Sequence, residues 1–105
     1  MRFARDERRE ARDELMHQAR YYESQRAGLG LDFLDAVDTA LTGIEHFPDA
    51  WRAYPGWDRE PVVRVQQVEG FPIGVVYLID RGRIVVLAYT HHRRKPGYWL
   101  NRIDG

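Results

Sequence analysis

IVVLAYTHHRRKPGYW, residues Ile84 to Trp99, holds the most apolar and the most basic runs of the chain side by side. Ile84 to Tyr89 is wholly apolar or aromatic, and His91, His92, Arg93, Arg94 and Lys95 follow in succession. A short run rich in β-branched and aromatic residues reads as a strand with little water on either face. Pro96 and Gly97 stop it. The strand therefore delivers two histidines, three cations and Tyr98 to one end of a sheet, where a rigid scaffold can hold polar chemistry.

Two more strands lie upstream. In Val62 to Val68, Val63 and Val65 share one face and Arg64 and Gln66 the other. Glu69-Gly70 turns the chain into Phe71 to Ile79, with Ile73, Val75, Tyr77 and Ile79 on one face and Val76 and Leu78 on the other. Asp80 to Arg83 is the next turn, and Arg83 to His91 the third strand. Turns this short make antiparallel neighbours.

The N-terminal half reads as helical. From residue 4 to about 26, Ala11, Leu15, Ala19 and Tyr22 recur at three- or four-residue intervals, with Met16 alongside. Gly28-Leu29-Gly30 breaks the pattern, and a second helix from Leu31 to His46 carries Leu34, Val37, Leu41 and Ile44 as its stripe, flanked by Phe33 and Ala40. Phe47-Pro48 ends it. Residues 48–61 are a loop by proline and glycine content, and Trp51, Tyr54 and Trp57 either tie it to the core or stack on bases. Met1 to Phe3 is a very short strand or a frayed end.

The expectation is an α+β fold in one domain spanning 1–105. A helical hairpin (4–47) packs on a twisted, mainly antiparallel sheet of three to four strands (62–91), followed by a basic tail (92–105). The hairpin covers one sheet face. The other is expected to be concave and partly polar, the place for a partner.

Composition narrows the function. The chain has 105 residues, 44% hydrophobic and 30% charged, with no cysteine, so disulfide and thiol chemistry are excluded. No apolar run reaches the ~20 residues of a membrane span, and the N-terminus has cations without an apolar core behind them, so no signal peptide is expected. Both point to the cytoplasm. The 16 cations and 16 acids cancel, but unevenly: residues 21–80 hold 4 basic and 10 acidic residues, residues 81–105 hold 6 and 1. The positive end could attract phosphate or an acidic peptide, while the zero total argues against non-specific nucleic-acid coating.

No metal or cofactor is expected. His91 and His92 are adjacent and on a strand would face opposite ways, and no HExxH pattern is present. There is no GxSxG, Ser24 is the single serine, and Gly28-Leu29-Gly30 does not follow a strand. What remains is Arg64, His91, His92, Arg93, Arg94 and Tyr98. Cleaving RNA at its 2′-hydroxyl needs a base, an acid and cations against the growing phosphorane charge. Histidine suits proton transfer near neutrality, arginine serves electrostatically, and a tyrosine stacks or donates a proton. The alternative for the same residues is a basic rim for an acidic protein partner.

The ordered set YYESQRAGLGLDFL, ALTGIEHFP, Arg64, EGFPIGVVY and HHRRKPGYW resembles the RelE/ParE superfamily of toxins from type II toxin–antitoxin pairs, from roughly Leu15 to Arg102. The resemblance implies a helical hairpin on a twisted sheet and a cognate antitoxin that wraps the toxin. It implies either ribosome-dependent mRNA cleavage, as in RelE-like members, or DNA gyrase inhibition, as in ParE-like ones; a degenerate member that only binds antitoxin is the third reading. Under the favoured RNase reading, Arg64 and Arg94 stabilise charge, His91 is acid or base, and Tyr98 stacks or donates. His92, Arg93, Lys95, Trp99 and Arg102 then contact RNA or antitoxin. A homodimer or a hetero-oligomer with the antitoxin is the assembly it suggests. Two departures stand out. The turn reads Phe71-Pro72-Ile73 where the family often has FPY. The family's first strand of about six residues shrinks to Met1–Phe3, with a first helix about one turn longer and a sheet edge left open.

Overall fold

The computed structural model describes residues 3–104. Strand β1 (Ala4–Glu7) leads into helices α1 (Arg9–Gln25) and α2 (Leu29–His46), then β2 (Val63–Gln67), β3 (Ile73–Asp80), β4 (Arg83–His91) and a 3-10 turn at Leu100–Arg102. The sheet order is β1-β4-β3-β2, with β1 parallel to β4 and the other pairs antiparallel. The α+β architecture is the one expected from periodicity. Among the described residues no helix is long and apolar enough to cross a membrane.

The first strand lies further along than the sequence suggests, so α1 begins at Arg9 and the extra N-terminal helical turn does not exist. Met1 and Arg2 lie outside the described residues. Ala4–Glu7 is charged and mostly exposed, which reads as helix in isolation. Its partners on β4 decide otherwise. Asp6 accepts two hydrogen bonds from Arg83, at 2.8 and 2.7 Å, and Glu7 accepts one from the Tyr89 hydroxyl at 2.5 Å. Arg5 pairs with the buried Glu45 of α2 at 2.8 Å.

The helical hairpin closes tightly. Glu23 of α1 accepts the backbone N–H groups of Gly28 and Gly30, both at about 3.0 Å, and so caps α2, which has no capping side chain of its own. A Cβ at Gly30 would stand 2.7 Å from the Ala19 carbonyl oxygen, so only glycine lets the helices approach there. Phe33, Val37, Leu41 and Ile44 then bury against Val75, Tyr77, Ile84 and Val86 of the sheet.

The opposite face is not the open, partly polar surface expected. It is a second core, in which Val63, Val65, Val76, Leu78, Val85, Leu87 and Ala88 surround Trp99, which is 1% exposed. Tyr54 and Trp57 of the long loop lean on the Trp99 ring at 5.0 and 5.7 Å between centroids. The alternation in β3 already carried the reason. Val76 and Leu78 leave too much apolar area on that face for water, and the loop and the C-terminal segment cover it.

One irregularity sets the direction of the basic end. Val76 faces Ala88 and Tyr77 faces Val86, so Leu87 is an extra residue in β4, a β-bulge. Leu87 and Ala88 both point to the second core, and every later residue of β4 changes face. Tyr89 and His91 therefore look toward the helices.

Trp99→Ala should lower the unfolding free energy by about 3–5 kcal/mol, the usual range for truncating a large buried aromatic, as measured by urea denaturation. A loss below about 1 kcal/mol would mean that the second core does not hold the sheet.

Candidate functional site at the basic end of β4

The turn after β4 is built on its own backbone. The Arg94 N–H donates to the His91 carbonyl at 3.0 Å, and the Arg93 N–H donates to His91 Nδ1 at 3.0 Å. With Nδ1 accepting, the neutral ring carries its proton on Nε2. His92 is exposed, with its Nε2 2.6 Å from Gln67 Oε1 of β2. Arg94 lies over the Tyr98 ring, 3.9 Å from its centroid.

Two cavities meet at His91. One of about 450 Å³ opens on the second-core face, floored by Gly74 and rimmed by Arg52, Tyr54, His92 and Arg94. The other, about 240 Å³, lies on the helix side among Asp13, Glu14, His17 and Tyr89, and Arg94 borders it too. Arg52 is the residue that sequence reading missed. It comes from the loop, 40 residues upstream of His92, and no sequence signal marks it, because the Ala53–Arg64 bridge that brings it there exists only in the fold.

The other expected site residues are placed elsewhere. Arg64 lies on the helix side of β2, where it donates to the Trp51 carbonyl at 2.6 Å and stands 3.9 Å from Asp49. Its cross-strand neighbour is Tyr77, whereas His91 faces Ile73, four residues along β3. That separates them by about 14 Å along the strand, with two strand spacings across it. The Tyr98 hydroxyl donates to Glu14 at 2.6 Å. Arg102 makes a two-pronged contact with the same carboxylate, at 2.9 and 3.3 Å, and donates to the Leu87 carbonyl at 3.1 Å. Trp99 is core. The structure thus brings His91, His92 and Arg94 together with Arg52, and leaves Arg93 and Lys95 exposed beside them. It holds Arg64, Trp99 and Arg102 in separate packing and hydrogen-bond roles, and keeps the Tyr98 ring under Arg94 while Glu14 takes its hydroxyl.

Burial, then the hydrogen bond to Glu14, pushes the Tyr98 hydroxyl up to about 12 from its ordinary value of 10.0. Burial raises Tyr77 and Tyr89 further still. Tyr98 therefore carries a neutral hydroxyl fixed on a carboxylate.

The sequence model of a family described as "ParE toxin of type II toxin-antitoxin system, parDE" matches residues 8–96. The chain belongs to this family of toxins. A solved chain described as a chromosomal ParDE TA system from P. aeruginosa superimposes with a TM-score of 0.68 at 15% identity, covering 85% of this chain and 95% of that one. At that identity the likeness is one of fold. No curated protein matches the sequence significantly.

The Tyr98 environment has a measurable consequence. Below pH 10 the hydroxyl is protonated in both folded and unfolded chains, and its contribution is complete. Between pH 10.0 and about 12 the unfolded chain loses the proton while the folded chain keeps it, so stability falls as pH rises. Tyr98→Phe should flatten that fall in urea titrations across this window, and at pH 7 should cost about 1.5–3 kcal/mol, as for a lost bond to a charged group. An unchanged alkaline slope would contradict the assignment.

Proposed function

We propose that this toxin of a type II toxin–antitoxin pair arrests growth by binding DNA gyrase, without cutting RNA, and that a cognate antitoxin silences it. The observation that carries this reading is that Arg64 stands apart from the other candidate nuclease residues and that the Tyr98 hydroxyl is already engaged. Arg64 is spent on a loop carbonyl at the far end of β2, and the Tyr98 hydroxyl is spent on Glu14. An acid, a base and cations must converge on one phosphate to cleave it, within about 3 Å of the reacting atoms. Membership of the ParE family supports the same target class.

The surface offered to gyrase is the helical hairpin. Tyr21 and Leu31 are 53% and 64% exposed at its tip, and Asp35 and Asp38 line the solvent side of α2. Large exposed apolar side chains rimmed by charge are the usual mark of a protein contact. The RelE-like nuclease is the second reading, and what favours it is the meeting of His91, Arg94 and Arg52 at one cavity.

Induced expression of variants separates the two. His91→Ala with Arg94→Ala should leave growth arrest within about twofold of wild type, with no new 5′ ends inside translated codons. Asp35→Lys with Asp38→Lys should relieve arrest by at least tenfold in plating efficiency. Loss of toxicity in the first variant, with cuts in mRNA made by the wild type, would replace the gyrase reading with the nuclease.

A further inference from the structure

The second-core face of the sheet carries two adjoining cavities of unlike chemistry. The first, of about 450 Å³, is bordered by Arg52, His91, His92 and Arg94, and no carboxylate borders it among the described residues. Arg52 and Arg94 have no carboxylate partner, which is equally true of other surface arginines such as Arg9 and Arg20. What sets these two apart is that they border one cavity together with two histidines. Gly74 keeps its floor low, since a Cβ there would stand 3.0 Å from the Val65 side chain and 3.8 Å from that of Thr90.

The second cavity, of about 280 Å³, is aromatic. Tyr54, Trp57, Trp99, Pro96 and Leu100 border it, and Asp58 is its one carboxylate. Its walls are fixed in advance. The Tyr54 N–H donates to the Val63 carbonyl at 2.7 Å, and the Trp57 indole N–H donates to the carbonyls of Arg59 and Pro61 at 2.9 and 2.7 Å. Both rings lean on Trp99 and stay half-buried, with part of each left to solvent. Rigid aromatic walls of this kind accept another flat ring by stacking or edge contact, and Asp58 can accept from an amine on it.

Tyr54, Pro55 and Pro96 border both cavities, so the two join in one trough. A ligand that fills it carries an anion at one end and a flat ring at the other. Guanidinium forks favour phosphate, which offers paired oxygens to each. The trough lies in the size range of small-ligand sites, roughly 300–1,000 Å³. One cationic end serves one phosphate group, whereas a polynucleotide repeats its charge at every residue.

We propose that this trough is a binding site for a small phosphate ester of a flat ring, a nucleoside monophosphate or a simpler aryl phosphate. Arg52, His92 and Arg94 hold the phosphate, and Tyr54 and Trp57 hold the ring. The ester is bound and not cut. The site is independent of the toxin's target.

The test uses the whole protein with AMP, 4-nitrophenyl phosphate, adenosine and inorganic phosphate as probes, read by calorimetry and NMR. At least one of the two esters should bind tenfold or more tightly than adenosine and inorganic phosphate, and should shift the Arg52 amide and the Trp57 indole N–H together. The tighter of the two esters identifies the source of the ring. Arg52→Gln with Arg94→Gln should weaken that ester at least tenfold. Arg9→Gln with Arg20→Gln removes the same charge elsewhere on the surface and should leave binding within about twofold. Trp57→Leu should weaken the ester at least fivefold and leave inorganic phosphate within about twofold; if that variant does not fold, the comparison with inorganic phosphate on the wild type still tests the ring subsite. Esters that bind no more tightly than inorganic phosphate, equal losses in the two arginine pairs, or no binding at millimolar concentration would overturn the proposal. So would an adenine trinucleotide that binds at least tenfold more tightly than AMP, which would make the trough a site for an RNA strand.

Discussion

One carboxylate, Glu14, joins the first helix, the sheet and the C-terminal segment. β1 ends at Glu7, opposite Val86, and leaves that edge of β4 uncovered beyond it, while β3 pairs the other edge. Side chains finish the edge. Glu14 accepts the Tyr89 N–H at 3.2 Å, and Arg102 donates to the Leu87 carbonyl. The two are also paired, with side chains only 14% and 11% exposed. Removing one member of such a pair strands a charge in low dielectric, which is the expensive way to break it. Arg8 adds a second tether by donating to the carbonyls of Arg102 and Ile103 at 2.8 and 3.0 Å. These contacts fix the segment that carries Trp99, and Trp99 organises the second core. The far face of the sheet is therefore closed by residues that in sequence look like a basic tail.

This explains which parts of the molecule were legible in advance. α1, α2, β3 and β4 follow from apolar periodicity, because those stripes are long and the packing surfaces are continuous. β1 was missed because ARDE has no apolar period; its strand conformation comes from pairing with Arg83 and Tyr89, some eighty residues away. The face that His91 takes is not legible in the sequence, because a bulge at Leu87 leaves no mark in a run that is apolar on both faces. Tyr98 and Arg102 looked like site residues because they sit in a basic stretch. Their partner, Glu14, lies on α1, more than eighty residues upstream.

The distribution of charge assigns the surfaces to different tasks. The hairpin is acidic and partly apolar, and Arg52 and Arg94 meet at a cavity by the sheet edge. A neutral chain with two separated fields suits a protein that meets two protein partners, and is poorly suited to tracking along a polyanion. The same fold carries nuclease chemistry elsewhere in the superfamily that the sequence resembles, so the choice lies in which side chains are free and not in the architecture.

The most direct measurement is a supercoiling assay with purified toxin and purified DNA gyrase, run with relaxed plasmid and ATP. The account predicts dose-dependent loss of supercoiling, relieved by Asp35→Lys with Asp38→Lys and unaffected by His91→Ala. Full supercoiling at a large molar excess of folded, growth-arresting toxin would contradict it.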